Sequence, residues 1–167
     1  MEITKIDMDI TTDMELTSGQ TIEDDANASI DATFHLNGGM CLDDIKVYGN
    51  SKLKMDAGEV IDGIGLYADG KKSYIEGGAI GGSVFVGDES VSHELEITGG
   101  LFNGDRIEVH NESSVTFIGH GFNYSFGNIR DGESNRTGIL TGILENGDPI
   151  SLKFRIFGSS NIVLEED

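Results

Sequence analysis

Apolar residues in this chain recur in pairs that are two positions apart. A spacing of two is the period of a β-strand, in which alternate side chains point to the same face. In four successive stretches such a pair lies six or seven positions after a glycine-containing doublet: Ile45/Val47, Ile64/Leu66, Val84/Val86 and Ile107/Val109. Each pair therefore predicts a short strand with one buried face.

Other apolar positions keep the same phase. A second pair precedes the next doublet (Phe34/Leu36, Leu53/Met55, Leu95/Ile97, Val115/Phe117), and a single apolar residue follows it (Cys41, Val60, Ile80, Phe102). The doublets end at Gly19, Gly39, Gly58, Gly78, Gly100 and Gly121, in steps of 20, 19, 20, 22 and 21 residues. A period of about 20 is typical of a solenoid, whereas propeller blades repeat about every 40 residues.

Three short strands per coil would stack on the equivalent strands of the next coil, ~4.8 Å away, and bury one continuous core. We therefore predict an all-β fold: a right-handed parallel β-helix, or short solenoid, of about five or six coils of ~20 residues. The alternative is an antiparallel sandwich of short strands, which leaves the shared phase of glycines and apolar residues unexplained.

The repeat divides the chain into three segments. Residues 18–121 are predicted to form the coils. Residues 1–17 contain alternating apolar residues and are predicted to be a strand that caps the first coil or contacts another copy. Beyond the repeat, Asn146-Gly147 between two apolar runs is a strong hairpin signal. Residues 122–167 are therefore predicted to form an antiparallel β-hairpin cap.

Composition narrows the range of partners. The chain has 30 acidic and 11 basic residues and a formal net charge of −19. We expect neither nucleic acid nor an anionic membrane as a partner, because both bind basic surfaces. The N-terminus lacks the apolar run of a signal peptide, and no stretch is long enough to span a bilayer. Cys41, the single cysteine, has no internal disulfide partner.

The C-terminal third carries a family resemblance. Val115-Thr116-Phe117-Ile118-Gly119 is followed by Gly121-Phe122-Asn123-Tyr124, by residues 138–144 and by Asn146-Gly147-Asp148-Pro149-Ile150. This succession resembles the end of the Gly-rich β-solenoid repeat proteins of the PEP-CTERM-associated, marine bacterial secreted type, with their C-terminal β cap. The resemblance covers about residues 36–164. It implies a right-handed solenoid and an extracellular or surface role, and it transfers no catalytic residue.

Acidic residues near the predicted corners are candidate calcium ligands. Asp43 and Asp62 each stand four positions after a doublet, and Asp44 stands five positions after one. Stacking of neighbouring coils would bring these carboxylates together, and Ca²⁺ accepts such oxygen ligands. The alternative is a set of solvated corners, since the nine-residue calcium repeat and the EF-hand loop are both absent.

Two groups of aromatic residues are candidate binding or interface positions. Phe122, Tyr124 and Phe126 could stack on a sugar or seal the end of the core. Phe85 and Tyr48 occupy outward positions and could form an oligomer face, because exposed apolar patches usually mark contacts.

The chain lacks a recognisable catalytic motif. Its four histidines do not have zinc-site spacing, and its outward strand positions contain no repeated carboxylate pair of the kind that glycoside hydrolysis needs. We therefore expect no enzymatic activity and no cofactor other than calcium. A polysaccharide-degrading β-helix enzyme is a weaker alternative.

The expected function is structural. We expect a protein that forms a homo-oligomer, such as a trimer, and packs with other structural proteins to decorate or stabilise an assembly such as a phage virion or a cell surface. The alternative is an adhesion module that binds a glycan or calcium. The expected location is a virion or an extracellular surface.

Overall fold

The computed structural model describes residues 2–4, 8–104, 106–125 and 136–167, and this part of the chain is all β with no helix. The strands are β1 (Glu2–Thr4), β2 (Met8–Ile10), β3 (Met14–Thr17), β4 (Gln20–Ile22), β5 (Ala26–Ala28), β6 (Thr33–Cys41), β7 (Ile45–Val47), β8 (Lys52–Val60), β9 (Ile64–Leu66), β10 (Lys71–Ile75), β11 (Ala79–Ile80), β12 (Val84–Val86), β13 (His93–Ile97), β14 (Leu101–Phe102), β15 (Arg106–Val109), β16 (Ser114–Ser125), β17 (Arg136–Leu144), β18 (Pro149–Ile156) and β19 (Asn161–Glu166).

The strands stack in parallel into three columns, which makes a β-solenoid of about five turns. Column A contains β2, β5, β7, β9, β12, β15 and β18. Column B contains β3, the first halves of β6 and β8, then β10, β13, β16 and β19. Column C contains β1, β4, the second halves of β6 and β8, then β11 and β14. The predicted parallel solenoid is confirmed, and the sandwich alternative is excluded.

The strand register reproduces the sequence period. In column A, Ala26 pairs with Ile45, Ile45 with Ile64, Ile64 with Val84 and Val84 with Ile107, in steps of 19, 19, 20 and 23 residues. Each inward side chain therefore lies on its equivalent in the next coil. In column B the inward stack is Leu16, Leu36, Met55, Ile75, Ile97 and Phe117, each at most 1% exposed.

The corners need left-handed backbone in every coil. At the corner between columns A and B this conformation is adopted by Gly49 (φ 63°) and Gly158 (φ 59°), but also by Ile30 (φ 71°) and by the pair Asn111 (φ 51°) and Glu112 (φ 60°). Left-handed backbone is unfavourable for residues with a Cβ, so Ile30 and Glu112 are strained positions. Both are exposed, so core packing does not explain them.

The C-terminal segment combines a hairpin with a further coil. Strand β16 continues past column B and pairs antiparallel with β17, which pairs antiparallel with β18. The predicted antiparallel strands are thus present. Strands β18 and β19 also stack in parallel on β15 and β16 and so extend columns A and B. At the β17–β18 turn, the Asp148 carboxylate accepts a hydrogen bond from the Gly100 N–H (2.8 Å), which fixes the turn to the solenoid.

The N-terminal segment, as far as it is described, also joins the columns. Strand β2 pairs with β5 in column A, and β3 pairs with β6 in column B. Residues 8–17 therefore belong to the first coil, and β2 and β3 each have one neighbouring strand among the described residues.

Candidate functional site

The outer side of column A carries charged and aromatic side chains. Its outward row, in register, is Asn27, Lys46, Gly65, Phe85, Glu108 and Arg155. The residues that directly follow the strands form a second row: Tyr48, Tyr67, Gly87, His110 and Phe157. Because parallel stacking repeats one position in every coil, residues far apart in the sequence meet along these rows.

Two predicted interface residues lie on this surface. Tyr48 is 41% exposed, and its ring centroid lies 5.6 Å from that of Tyr67. The Tyr67 ring lies across Gly65, where any side chain would collide with it. Phe85 is half-buried in the outward row beside Gly65. The structure therefore brings Tyr48 and Phe85 to one surface, together with Tyr67, which the sequence did not single out.

The acidic corner is built from Asp25, Asp43 and Asp44, whose carboxylate oxygens lie within 4.8 Å of one another. The ammonium of Lys46 lies 2.7 Å from Asp25 Oδ2 and 3.9 Å from Asp44 Oδ2. Its hydrogen bond holds the pKa of the Asp25 carboxyl below its usual range. Of the three predicted ligands, Asp43 and Asp44 belong to this cluster, whereas Asp62 is exposed and is not a member.

This corner already contains a cation. The Lys46 ammonium offsets part of the negative charge, and the other oxygen of Asp44 accepts the Gly63 N–H at 2.8 Å. Calcium takes six to eight oxygen ligands, so an ion here would compete with Lys46 for the same carboxylates.

The C-terminal aromatic residues do not act as one group. Phe122 packs against the core and lies under Gly142, whose missing side chain leaves room for the ring. Tyr124 is 37% exposed. Phe126 lies outside the described residues. Phe122 is therefore partly buried against the core, and Tyr124 is the exposed member of the described pair.

A basic cleft lies between β15, β17 and β18. It has a volume of about 440 Å³, and its lining includes Arg106, Lys153, Arg155 and Ile139. Arg106 is the register partner of Lys153, and Arg155 that of Glu108. The side chain of Glu108 is only 9% exposed, with its Oε1 3.1 Å from Arg106 Nε and 3.8 Å from Arg155 Nη1. Lys153 is exposed and has no ion-pair partner among the described residues.

An acidic cleft lies at the turns that follow β12, β15 and β18. It has a volume of about 480 Å³, and its lining includes Asp88, Glu89, Glu112 and Phe157. The Arg155 guanidinium lies 4.7 Å from the centroid of the Phe157 ring, which also stacks on His110 at 4.2 Å. The His110–Phe157 pair belongs to the acidic cleft, which therefore meets the basic cleft where Arg155 lies over the Phe157 ring.

The interior contains a serine–histidine contact. Ser73 Oγ lies 2.8 Å from His93 Nε2, and His93 Nδ1 lies 2.7 Å from the Ala68 carbonyl oxygen. The carbonyl can only accept, so Nδ1 carries the proton and Ser73 donates to Nε2. Both residues are fully buried, and burial lowers the pKa of His93. A substrate has no access to this pair, so its geometry serves to satisfy buried polar groups.

The free cysteine is likewise shielded. Cys41 is fully buried, and burial raises the pKa of its thiol to about 11. Because the thiolate is the reactive form, this side chain is an inert part of the core.

The sequence did not single out the residues of the basic cleft. One signal was available: all four arginines (Arg106, Arg130, Arg136 and Arg155) fall within one third of an otherwise acidic chain. Arg136 has a different role from the cleft arginines, since its guanidinium is buried and donates to the carbonyl oxygens of Gly158 (3.3 Å) and Ser160.

Comparisons with known proteins leave the fold as the basis for functional reasoning. No family model, curated protein or solved structure matches the chain. The resemblance to Gly-rich secreted solenoids stays an expectation from the sequence. In the part of the chain that the structure describes, no helix has the length and apolar character needed to cross a bilayer.

Proposed function

We propose that this protein is a non-enzymatic structural protein, a rigid acidic solenoid that self-associates and thereby decorates or stabilises a larger assembly such as a phage virion or a cell surface. The observation that carries the proposal is strand β17, which has apolar side chains on both faces. Leu140 and Leu144 are buried against the core, whereas Ile139 and Ile143 on the other face are 37% and 41% exposed.

Apolar residues on both faces of a strand are typical of strands that are covered on both sides. Strand β17 is covered on one side in the single chain, so a second molecule is the natural cover for Ile139 and Ile143. The buried position of the Ser73–His93 pair supports a non-catalytic role, because a nucleophile and its base must reach the substrate.

The proposal is tested by the mass of the protein in solution. Wild type should exceed the chain mass of 17.9 kDa in light scattering. The double variant Ile139→Thr/Ile143→Thr should move towards the monomer mass, since Thr137 and Thr141 already occupy the same exposed face. Ile61→Thr is the matched control, because Ile61 is 44% exposed at a distant corner. A wild-type monomer at every concentration would contradict the proposal.

A glycan-binding role is a second candidate, favoured by the Tyr48–Tyr67 pair on the outer side of column A. Exposed aromatic rings present an apolar surface with polar hydroxyl tips, which suits a sugar ring. The chain has four tyrosines and no tryptophan, so tyrosine fluorescence would report binding. Titration with neutral oligosaccharides should change the emission of wild type but not of Tyr48→Ala. No change in wild type would remove this candidate.

A further inference from the structure

We propose that the adjoining basic and acidic clefts form a self-complementary surface that binds a second copy of this chain across a two-fold axis. In such a pair, the basic cleft of each molecule faces the acidic cleft of the other. This inference rests on the proposed self-association and names the contact that produces it. The axis would pass near the contact between Arg155, which lines the basic cleft, and Phe157, which lines the acidic cleft.

The two clefts are near enough to each other for one contact to cover both. Lys153 and Phe157 are four residues apart on one extended segment, which corresponds to ~13 Å at a strand rise of about 3.3 Å per residue. A two-fold axis through the midpoint of such a surface places each patch on its opposite, so every contact is made twice. Ile139, the register partner of Lys153, adds apolar area at the edge.

The charges of the basic cleft lower the stability of the single chain. Arg106 and Lys153 are register partners on neighbouring strands, and like charges in that position repel. Glu108 offsets Arg106 and Arg155, but Lys153 has no partner among the described residues. A carboxylate from a second molecule would supply the missing partner. In a chain of net charge −19, the second copy itself carries many such groups.

The acidic cleft also contains a feature that lowers the stability of the single chain. Glu112 has φ 60° in the tight turn that is closed by the hydrogen bond from Ser113 N–H to the His110 carbonyl (3.0 Å). In the equivalent turns the left-handed residue is Gly49 or Gly158, which corresponds to Asn111. The counterparts of Glu112, which are Asn50 and Ser159, are not left-handed, so Glu112 is an additional strained position. An exposed glutamate in a left-handed conformation lowers the stability of the single chain, and strained residues cluster at functional sites.

Charge reversal tests the contact directly. Lys153→Glu should weaken association about tenfold or more, since like charges across an interface repel. Lys52→Glu is the matched control, because it produces the same net charge of −21 (−19 − 2) at an exposed lysine of column B. Glu89→Lys should also weaken association, although its net charge of −17 (−19 + 2) would favour it if repulsion between whole molecules were decisive.

The double variant Lys153→Glu/Glu89→Lys should restore association, because each reversed charge meets its new opposite across the axis. The association constants are measured by sedimentation at about 0.15 M salt. The Debye length there is about 8 Å, so salt screens long-range repulsion between the molecules more than it screens direct charge contacts. Glu112→Gly should raise the midpoint of thermal unfolding and weaken association at the same time.

The outcomes separate the two proposals. Restored pairing in the double variant, with the control behaving as wild type, supports the two-fold contact. If neither Lys153→Glu nor Glu89→Lys changes the association constant, or if the protein forms a trimer, the two-fold contact is overturned but self-association is not. A wild type that stays monomeric overturns both.

Discussion

Replacing Gly58 by alanine probes the close approach of successive coils. Gly58 has φ 105°, and a Cβ at this position would lie closer than 3.0 Å to the carbonyl oxygen of Gly39 in the preceding coil. It would also meet the Gly39 nitrogen at 3.1 Å and Leu36 Cγ at 3.2 Å. The substitution therefore combines an unfavourable backbone conformation with a collision against a neighbouring coil.

The magnitude follows from two contributions. Left-handed backbone destabilises the folded state by roughly 1–2 kcal/mol for a residue with a Cβ. Alanine also has less conformational freedom than glycine in the unfolded chain, which offsets about 0.5–1 kcal/mol of this loss. Overpacking against a fixed backbone adds about 1–3 kcal/mol. We expect Gly58→Ala to lower the free energy of unfolding by about 2–4 kcal/mol, which lowers the midpoint by roughly 5–15 °C for a chain of this size.

Gly19→Ala is the matched control. Gly19 has φ 85°, but a Cβ there would have no neighbour within 4 Å among the described residues. Gly19→Ala should therefore lower the free energy of unfolding only by the backbone contribution, about 1 kcal/mol or less. The assay is thermal and urea unfolding of both variants, followed by circular dichroism. Equal losses in Gly58→Ala and Gly19→Ala would refute the close stacking of coils at this corner.

Three further predictions concern the core and the acidic corner. Phe117→Ala, at a fully buried site, should cost about 3–5 kcal/mol in urea unfolding. Burial lowers the pKa of His93 below its usual 6.5, so neutral His93 contributes stability above about pH 6.5, and this contribution is lost as the pH falls towards the pKa of the folded state. Wild type should therefore lose more stability than His93→Leu between about pH 7.5 and about pH 5.5. Equal losses in the two proteins would contradict this. Calcium should stabilise Lys46→Met more than wild type in thermal unfolding, because the three aspartates lose their competing ammonium, and equal shifts would show that Lys46 does not compete.

The solenoid was predictable because its signal is local and repeated. Pairs such as Ile45/Val47 report an inward strand face, and their fixed phase with the glycines reports stacking. The sequence could not assign strand partners near the C-terminus, because parallel and antiparallel strands share the period of two. Pro149–Ile156 alternates as predicted for a hairpin, yet it pairs with β17 on one edge and extends column A on the other.

The candidate sites were predictable only in part. Doublet spacing identified Asp43 and Asp44, but Asp25 joins them because Ala26 pairs with Ile45, which brings the preceding residues Asp25 and Asp44 together. The basic cleft depends on a pairing between Arg106 and Lys153, which are 47 residues apart (153 − 106). The cap lies between them in the chain, so no repeat of about 20 residues could reveal that contact.

The central claim, that this solenoid functions by binding copies of itself, is tested most directly by sedimentation equilibrium of the wild-type protein over a wide concentration range. The two-fold contact predicts a species of twice the chain mass of 17.9 kDa that becomes more populated as concentration rises. A mass of one chain at every concentration would contradict the claim.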